Sequence, residues 1–442
     1  MEIVNEDIPC RDSILKESSA SVEKRVVNLD GSGFDPLRNV LFVLGDFPTR
    51  TQTFIHRELC EMHRRGHRIN VLAISEVKRD DLNRSLRSIQ DKALFVRRLL
   101  GMGVFRRNRG GPSWATRRLL FRRAMSLPHR TLYHRLRFLI ALGIAVRVAS
   151  KVRKAGYTYI HAHFASFQTE IAMCLSWITG IPYGITSHAY DLWRDRNILE
   201  EKIAGAKMVL TCTEFNLKHL RMLAAEHSEK VFLVRHGIDA EKWCFGFHRD
   251  MSSGTHEWLA VGRLIPKKGF SHLVDAVGLL RDRGIAPRLT IVGEGPEHGR
   301  LASQILSLDL ATNISMVGEL KNDEVRSKMS RCFGLAVPSV EAPNGDRDGI
   351  PNVIIEAMSC GKPVIGTKVS GIPEIVRDHS NGLLVPSGNS DALAEAIAHL
   401  DSDPAFANRL GVEGRRTVER EYDIVSSVDA QLRHLAEVVL AQ

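Results

Sequence analysis

The densest chemical signal in this chain is Val337–Val364, which reads VPSVEAPNGDRDGIPNVIIEAMSCGKPV. A candidate strand, Gly334–Val337, runs into a loop rich in Pro, Asn, Gly and Asp, and a helix from about Pro351 leads through Gly361 into the next strand. Proline suits the first turn of a helix, because its missing N–H would go unpaired there anyway. The backbone amides of Asn352, Val353 and Ile354 would then be free donors at a positive helix end, an arrangement that holds phosphate. Asp348 and Glu356 flank the turn, one before the helix and one about a turn and a half inside it. Both can therefore face a ligand lying across the helix start. A helix-capping carboxylate plus a solvated glutamate is the plainer alternative, and this segment alone leaves both open.

Two further segments carry charge or glycine to strand ends. In Val261–Gly269 (VGRLIPKKG), Arg263 and Lys268 are cations at the carboxyl edge of a candidate strand, where doubly wound folds bind ligands. Arginine can grip phosphate oxygens with a fork, and lysine supplies a point charge. An ordinary basic surface loop would look the same in isolation. Ile291–Pro296 (IVGEGP) is a strand followed by G-x-G, but a dinucleotide fingerprint needs glycine three residues later. That position is His298, with Gly299 one place late, so the NAD reading is weak. There is no G-x-x-x-x-G-K-[ST] for a P-loop and no G-x-S-x-G for a serine hydrolase. In the first half, Ile185–Trp193 (ITSHAYDLW) puts His188 just beyond a strand, and His161 and His163 flank Ala162 at another. The pair suggests a metal, yet no nearby carboxylate or cysteine set completes one, so no metal is expected.

The elements that must position these residues alternate. Candidate strands are Val40–Leu44, Ile69–Ile74, Tyr159–Ala162, Gly184–Ser187, Met208–Thr211 and Val231–Val234, with helical stretches such as Phe54–Arg65, Thr169–Ile178 and Asn216–Ala225 between them. The alternation restarts with Trp258–Val261, Leu289–Val292, Ile314–Val317, Gly334–Val337, Pro363–Gly366 and Leu383–Val385. Strands separated by helices of about ten residues or more imply parallel sheets of βαβ units. The polar stretch His236–His256 divides the two series. The reading is two doubly wound domains, 36–236 and 257–420, preceded by a flexible tail over 1–35 and followed by a C-terminal helix within 421–442.

Composition narrows the class. The chain has 442 residues, of which 44% are hydrophobic and 25% charged, the balance of a globular protein and not of a disordered or fibrous one. Its longest apolar run, Phe138–Val146, is far short of the roughly 20 residues that cross a bilayer. Glu2, Glu6 and Asp7 give the N-terminus the wrong sign for a secretory signal. Seven scattered cysteines without a C-x-x-C pair fit a reducing, cytoplasmic compartment. The net charge of +10 is uneven: Lys78–Arg137 holds 17 basic residues against three acidic ones, so this insertion carries +14 and the rest of the chain sums to −4.

Taken in order, VGRLIPKKG, IVGEGP, the Asp348–Glu356 stretch, AMSCGKPVIGT and GIPEIV resemble the C-terminal half of glycosyltransferase family 4. The first-half segments DFPTRTQTFIHREL, HAHFA and ITSHAYDLW resemble its bacterial exopolysaccharide and colanic-acid-type members. The resemblance runs from about Arg38 to Arg420. It implies the GT-B fold, two Rossmann-like α/β domains facing across a cleft, and transfer of a sugar from a nucleoside-diphosphate sugar with retained configuration and no metal or cofactor. Arg263 and Lys268 would neutralise the diphosphate leaving group. Glu356, the second acid of the family's E-x7-E pair, would hold the ribose, and Asp348, the first, would face the donor sugar. His188 would donate a hydrogen bond to that sugar. Thr51 and Gln52 would lie under the donor, Gly293 beside it, and Val317 and Gly318 against the base. Asp348 departs from the pattern, which has Glu; one methylene fewer draws the carboxylate back by about 1.5 Å.

Within this fold a sugar-nucleotide epimerase or a phosphorylase would need acid/base groups or a pyridoxal lysine that no motif supplies. A non-catalytic nucleotide-binding partner remains a second class, which the Asp at position 348 favours. The basic segment, with RRLLGMGVFRRNRGG and WATRRLLFRRAM, has the composition of a stretch that meets anionic lipid, pointing to a polyprenyl-diphosphate-linked acceptor at the inner face of a membrane. A solvated basic insertion is the alternative. Nucleic acid is not expected as a partner, since no binding motif accompanies the charge.

Overall fold

A computed structural model describes residues 35, 37–49, 51–79, 82–101, 111–243 and 256–440. Residues 1–34 of the segment read as a 1–35 tail, and residues 80–81 and 102–110 of the basic segment, lie outside the described residues.

The alternating runs form two parallel sheets. The first comprises β1 (Val40–Phe47), β2 (Asn70–Glu76), β3 (Leu94–Phe95), β4 (Tyr159–His163), β5 (Tyr183–Ser187), β6 (Met208–Thr211) and β7 (Val231–Leu233), in the order β3-β2-β1-β4-β5-β6-β7. The second comprises β8 (Glu257–Val261), β9 (Arg288–Val292), β10 (Ile314–Met316), β11 (Gly334–Val337), β12 (Val364–Thr367) and β13 (Leu383–Val385), ordered β10-β9-β8-β11-β12-β13. Each sheet reverses direction once, between β1 and β4 and between β8 and β11. Such switch points open a crevice beyond the carboxyl ends of the strands. Parallel strands covered on both faces must be apolar along their whole length. Hence β4, β5, β6, β11 and β12 are buried at every residue.

The helices that matter for the cleft are α1 (Thr53–Arg64), α2 (Trp114–Ser126), α3 (Leu132–Lys154), α4 (Phe167–Thr179), α5 (Ala189–Trp193), α6 (Glu214–Ala224), α7 (Asn352–Ser359) and α8 (Ile424–Leu440). Local chemistry sets their ends. Thr131 caps α3 by accepting from the His134 amide at 3.3 Å, and Gly180, at φ 78°, ends α4 in the left-handed conformation.

Where the last helix packs is decided only in three dimensions. It returns to the first sheet, where Ile424, Val428 and Leu435 join Leu37, Phe42, Leu59 and Met62 in one buried cluster. Each such side chain stabilises the contact by roughly 1.5–3 kcal/mol. The Tyr422 carbonyl accepts from the Ile238 amide at 2.8 Å, and the Ile424 amide donates to the Ile238 carbonyl at 3.1 Å. The two crossings between the halves therefore lie side by side.

The basic segment is not a free-standing insertion. Leu86, Ile89, Phe95 and Val96 are buried against the first sheet, and β3 is its edge strand. The Arg137 guanidinium is held at 2.6 Å by both Glu170 and Asp195. The apolar residues interleaved with the arginines supply this anchorage. Along α2 and the first turns of α3 they point outward instead: Trp114, Leu119, Phe121, Leu132, Tyr133 and Leu136 are each at least half exposed.

Candidate active site

The carboxyl ends of the two sheets face each other across a cleft of about 730 Å³. Its second-half wall is built from three loops stapled together by backbone. The Gly262 amide donates to the Val292 carbonyl at 2.9 Å, Leu264 to Glu294 at 2.8 Å, and Gly293 to Gly318 at 2.8 Å. Gly293 sits at φ 144°, and a Cβ there would lie 1.9 Å from the Gly262 carbonyl oxygen. Only glycine permits that approach.

These staples fix the cationic loop after β8. Lys268 Nζ donates to Asp348 Oδ2 at 2.7 Å, and Ser339 Oγ donates to the same oxygen at 2.9 Å. Lys267 Nζ lies 3.4 Å from Asp348 Oδ1 and donates to Asp346 Oδ1 at 2.9 Å. Burial alone would raise the Asp348 carboxyl, but Lys268, Lys267 and the hydrogen bonds outweigh it and draw it down to about 2. Asp348 is thus an ionised carboxylate that holds both lysines at the edge of the cleft. Arg263 lines the same wall with an exposed side chain.

At α7 the helix begins one residue later than expected. Pro351 occupies the capping position with ψ 126°, outside the first turn. Asn352 and Val353 line the cleft at the helix start, whereas the Ile354 amide donates to the Pro351 carbonyl at 3.0 Å and the side chain is buried. Ile354 is therefore not a free donor. Val317 and Gly318 are also displaced from the cleft lining. β10 ends at Met316, the Val317 amide bonds back to Ile291 at 3.1 Å, and the Gly318 carbonyl is used on Gly293. Glu319 and Leu320 line the cleft in their place.

The first-half wall brings Thr51, Gln52 and Phe54, at the start of α1, together with His188, Cys212 and His236 from just beyond β5, β6 and β7. His188 precedes α5, and Asp191 fastens it: one carboxylate oxygen accepts the His188 amide at 2.8 Å, the other the Ser187 hydroxyl at 2.9 Å. Burial, followed by the neighbouring His236, His163 and His161, holds the His188 imidazole neutral, and its buried Nε2 has no hydrogen-bond partner among the described residues. Burial would lower His236 too, but Cys212 and Glu58 raise it to about 10; Glu58 Oε1 lies 2.9 Å from its Nδ1. His161 and His163 lie inside β4, fully buried, with His161 Nε2 at 2.7 Å from the Thr186 hydroxyl.

Polar contacts cross between the halves. Arg57, on α1, pairs with Glu356 Oε1. Arg194 reaches Asp346 at 3.4 Å. Glu374, in GIPEIV, accepts the Glu214 and Phe215 amides at 2.8 Å each, which places a carboxylate on the positive end of α6. The roles of Arg57, Glu58, Cys212, His236 and Glu374 have no signature in sequence spacing, because each is defined by a partner on another element.

The family described as Glycosyl transferases group 1 matches residues 251–417. Amylovoran biosynthesis glycosyltransferase AmsK of Erwinia amylovora is 30% identical over 261 residues, 57% of this chain and 62% of that protein. The putative colanic acid biosynthesis glycosyltransferase WcaL of Escherichia coli is 35% identical over 179 residues, 40% of this chain and 44% of that one. The chain thus spans about half the length of these curated relatives. Among solved structures, Anabaena Alr3699/HepE in complex with UDP and glucose overlays with a TM-score of 0.67, covering 90% of this chain and 99% of that one at 17% identity. Sucrose-phosphate synthase from Thermosynechococcus elongatus gives the same TM-score at 18% identity, covering 91% and 100%. Likeness at this level of identity is likeness of fold, and the fold is GT-B. The chain thus has two facing Rossmann-like units in the GT-B arrangement, and its second half is similar to the glycosyl transferases group 1 family.

Proposed function

We propose that the protein moves a sugar from a nucleoside-diphosphate sugar to a saccharide acceptor in exopolysaccharide or cell-surface polysaccharide assembly, with retained configuration. The observation that carries this reading is the meeting, in one cleft, of Lys268 and Arg263, the amino end of α7, and a neutral His188 with an unpartnered nitrogen. Departure of a nucleoside diphosphate builds negative charge on phosphate, and fixed cations with helix amides stabilise that charge as it forms. His188 then faces the donor sugar and Glu356 the ribose, which would share the carboxylate with Arg57. Attack on the front face, with the departing phosphate as base, accounts for retention and needs no metal. The names of AmsK and WcaL support the polysaccharide setting, and the UDP in the HepE complex supports the nucleotide.

Calorimetric titration with UDP, GDP and NAD in EDTA tests it. Binding of UDP or GDP is expected. Binding of NAD alone, or of no nucleotide, would overturn the assignment.

The acceptor is read as lipid-linked. No helix among the described residues is long and apolar enough to cross a membrane. The exposed face of α2 and the start of α3 instead sets Trp114, Leu119, Phe121, Leu132, Tyr133 and Leu136 beside the exposed Arg117, Arg118, Arg122, Arg123 and Arg130. No acidic residue occurs from 92 to 169. Each arginine near an anionic surface contributes on the order of 1 kcal/mol. The protein should float with phosphatidylcholine vesicles that contain phosphatidylglycerol and not with phosphatidylcholine alone. A Trp114→Ala/Phe121→Ala variant should lose most of that binding. Equal flotation with both vesicles, or with neither, would sink the membrane contact.

A further inference from the structure

We propose that His188, Cys212 and His236 form a binding site for a zinc-class cation on the first-half wall of the cleft. The three residues come from successive strand ends and are buried, and their candidate ligand atoms all lie within 4.8 Å of one another. Tetrahedral zinc, with bonds of about 2.0–2.3 Å, needs its ligand atoms roughly 3.5 Å apart, a gap that small side-chain rotations close. Two imidazoles and one thiolate suit zinc and its soft neighbours, and not magnesium or calcium, which take oxygen.

Two independent features point to an occupant. His188 Nε2 is buried without a hydrogen-bond partner among the described residues. On the other side, Glu58 engages His236 through Nδ1 at 2.9 Å and leaves the second ring nitrogen for the site. A carboxylate behind a ligating histidine is how metal sites fix the ring and raise its basicity. The two imidazoles are already neighbours, with ring centroids 5.2 Å apart. Cys212 would bind as thiolate and His236 through its deprotonated second ring nitrogen, the protons released passing to solvent.

All three residues line the cleft, so the fourth position opens into it. An ion there takes the His188 nitrogen that the proposed function gives to the donor sugar. The site is therefore inhibitory, a consequence that rests on that reading.

The test uses the metal-free full chain titrated with Co²⁺, followed by absorbance. A thiolate-to-cobalt charge-transfer band should saturate at one equivalent and vanish on adding Zn²⁺. Cys212→Ser should abolish the band with an unchanged melting curve. His236→Ala should weaken Co²⁺ binding at least tenfold, and Glu58→Gln about tenfold. Cys60→Ser, a thiol outside the cleft, should leave the band intact. No band, a band that survives Cys212→Ser, or one lost in Cys60→Ser would overturn the site. Zinc should also weaken binding of the nucleotide sugar at least tenfold; unchanged affinity with the site filled would overturn the inhibitory role alone. Failure of UDP and GDP to bind the metal-free protein would instead defeat the donor reading and leave the cobalt result standing.

Discussion

Replacing Lys268 by alanine should lower kcat/KM for sugar transfer by about 10²–10³, the usual loss when one fixed donor to a developing charge is removed. UDP or GDP binding should weaken by about 1.5–3 kcal/mol, the range for a hydrogen bond to a charged group. The fold should survive, because Asp348 keeps Lys267 at 3.4 Å and the Ser339 hydroxyl at 2.9 Å. Lys268→Arg should recover part of the loss, since the charge remains while its geometry changes. Calorimetry and steady-state rates on the three proteins settle the matter. Unchanged nucleotide affinity would move the diphosphate away from this loop.

The same carboxylate carries a pH signature. The Asp348 pKa is depressed in the fold to about 2 from an ordinary 3.8. Its contribution to stability is thus fully present above about 4 and disappears as pH falls towards 2. The acid limb of nucleotide binding should not titrate with Asp348 anywhere near neutrality.

Gly293→Ala should have the largest effect on folding. The new Cβ would lie 1.9 Å from the Gly262 carbonyl oxygen, at a φ of 144° that side chains rarely adopt. Positive φ and a forced backbone shift together cost about 3 kcal/mol. For a unit of this size that lowers Tm by roughly 6–12 °C. Nucleotide affinity should fall with it, because the displaced strand-end backbone carries the loop that holds Lys268. Gly299→Ala, where a Cβ meets nothing within 4 Å, is the matched control and should melt like the parent. If Gly293→Ala melts with the parent as well, glycine is present there for contact with ligand and not for the approach of two backbones.

Much of the architecture is legible along the chain because its causes are local. Buried parallel strands need unbroken apolar runs, which is why Met208–Thr211, Gly334–Val337 and Leu383–Val385 are read at their observed bounds. β3 escapes notice, being two residues long inside a run of arginines. At the second-half wall the motifs also lie within single loops, so Arg263, Lys268, Asp348, Asn352 and Val353 are all found lining one cleft. The misplacements there are of one or two residues: a helix that starts after Pro351, and a strand that stops before Val317. Element ends depend on which backbone groups find partners, and apolar periodicity does not report that.

The sequence by itself determined the resemblance of the second half, the two series of strands and the cationic loop beside an acidic pair, since each is written in neighbouring residues. Only the tertiary structure decided that Arg57 meets Glu356 across 299 positions, that Glu374 holds the amino end of α6, and that α8 returns to the first sheet. It likewise decided that both histidines of the HAHFA segment, His161 and His163, lie inside β4 while His188, Cys212 and His236 converge. The reason is physical. Parallel strands carry their ends to a common edge whatever lies between them in sequence, so groups separated by a whole βα unit become neighbours there.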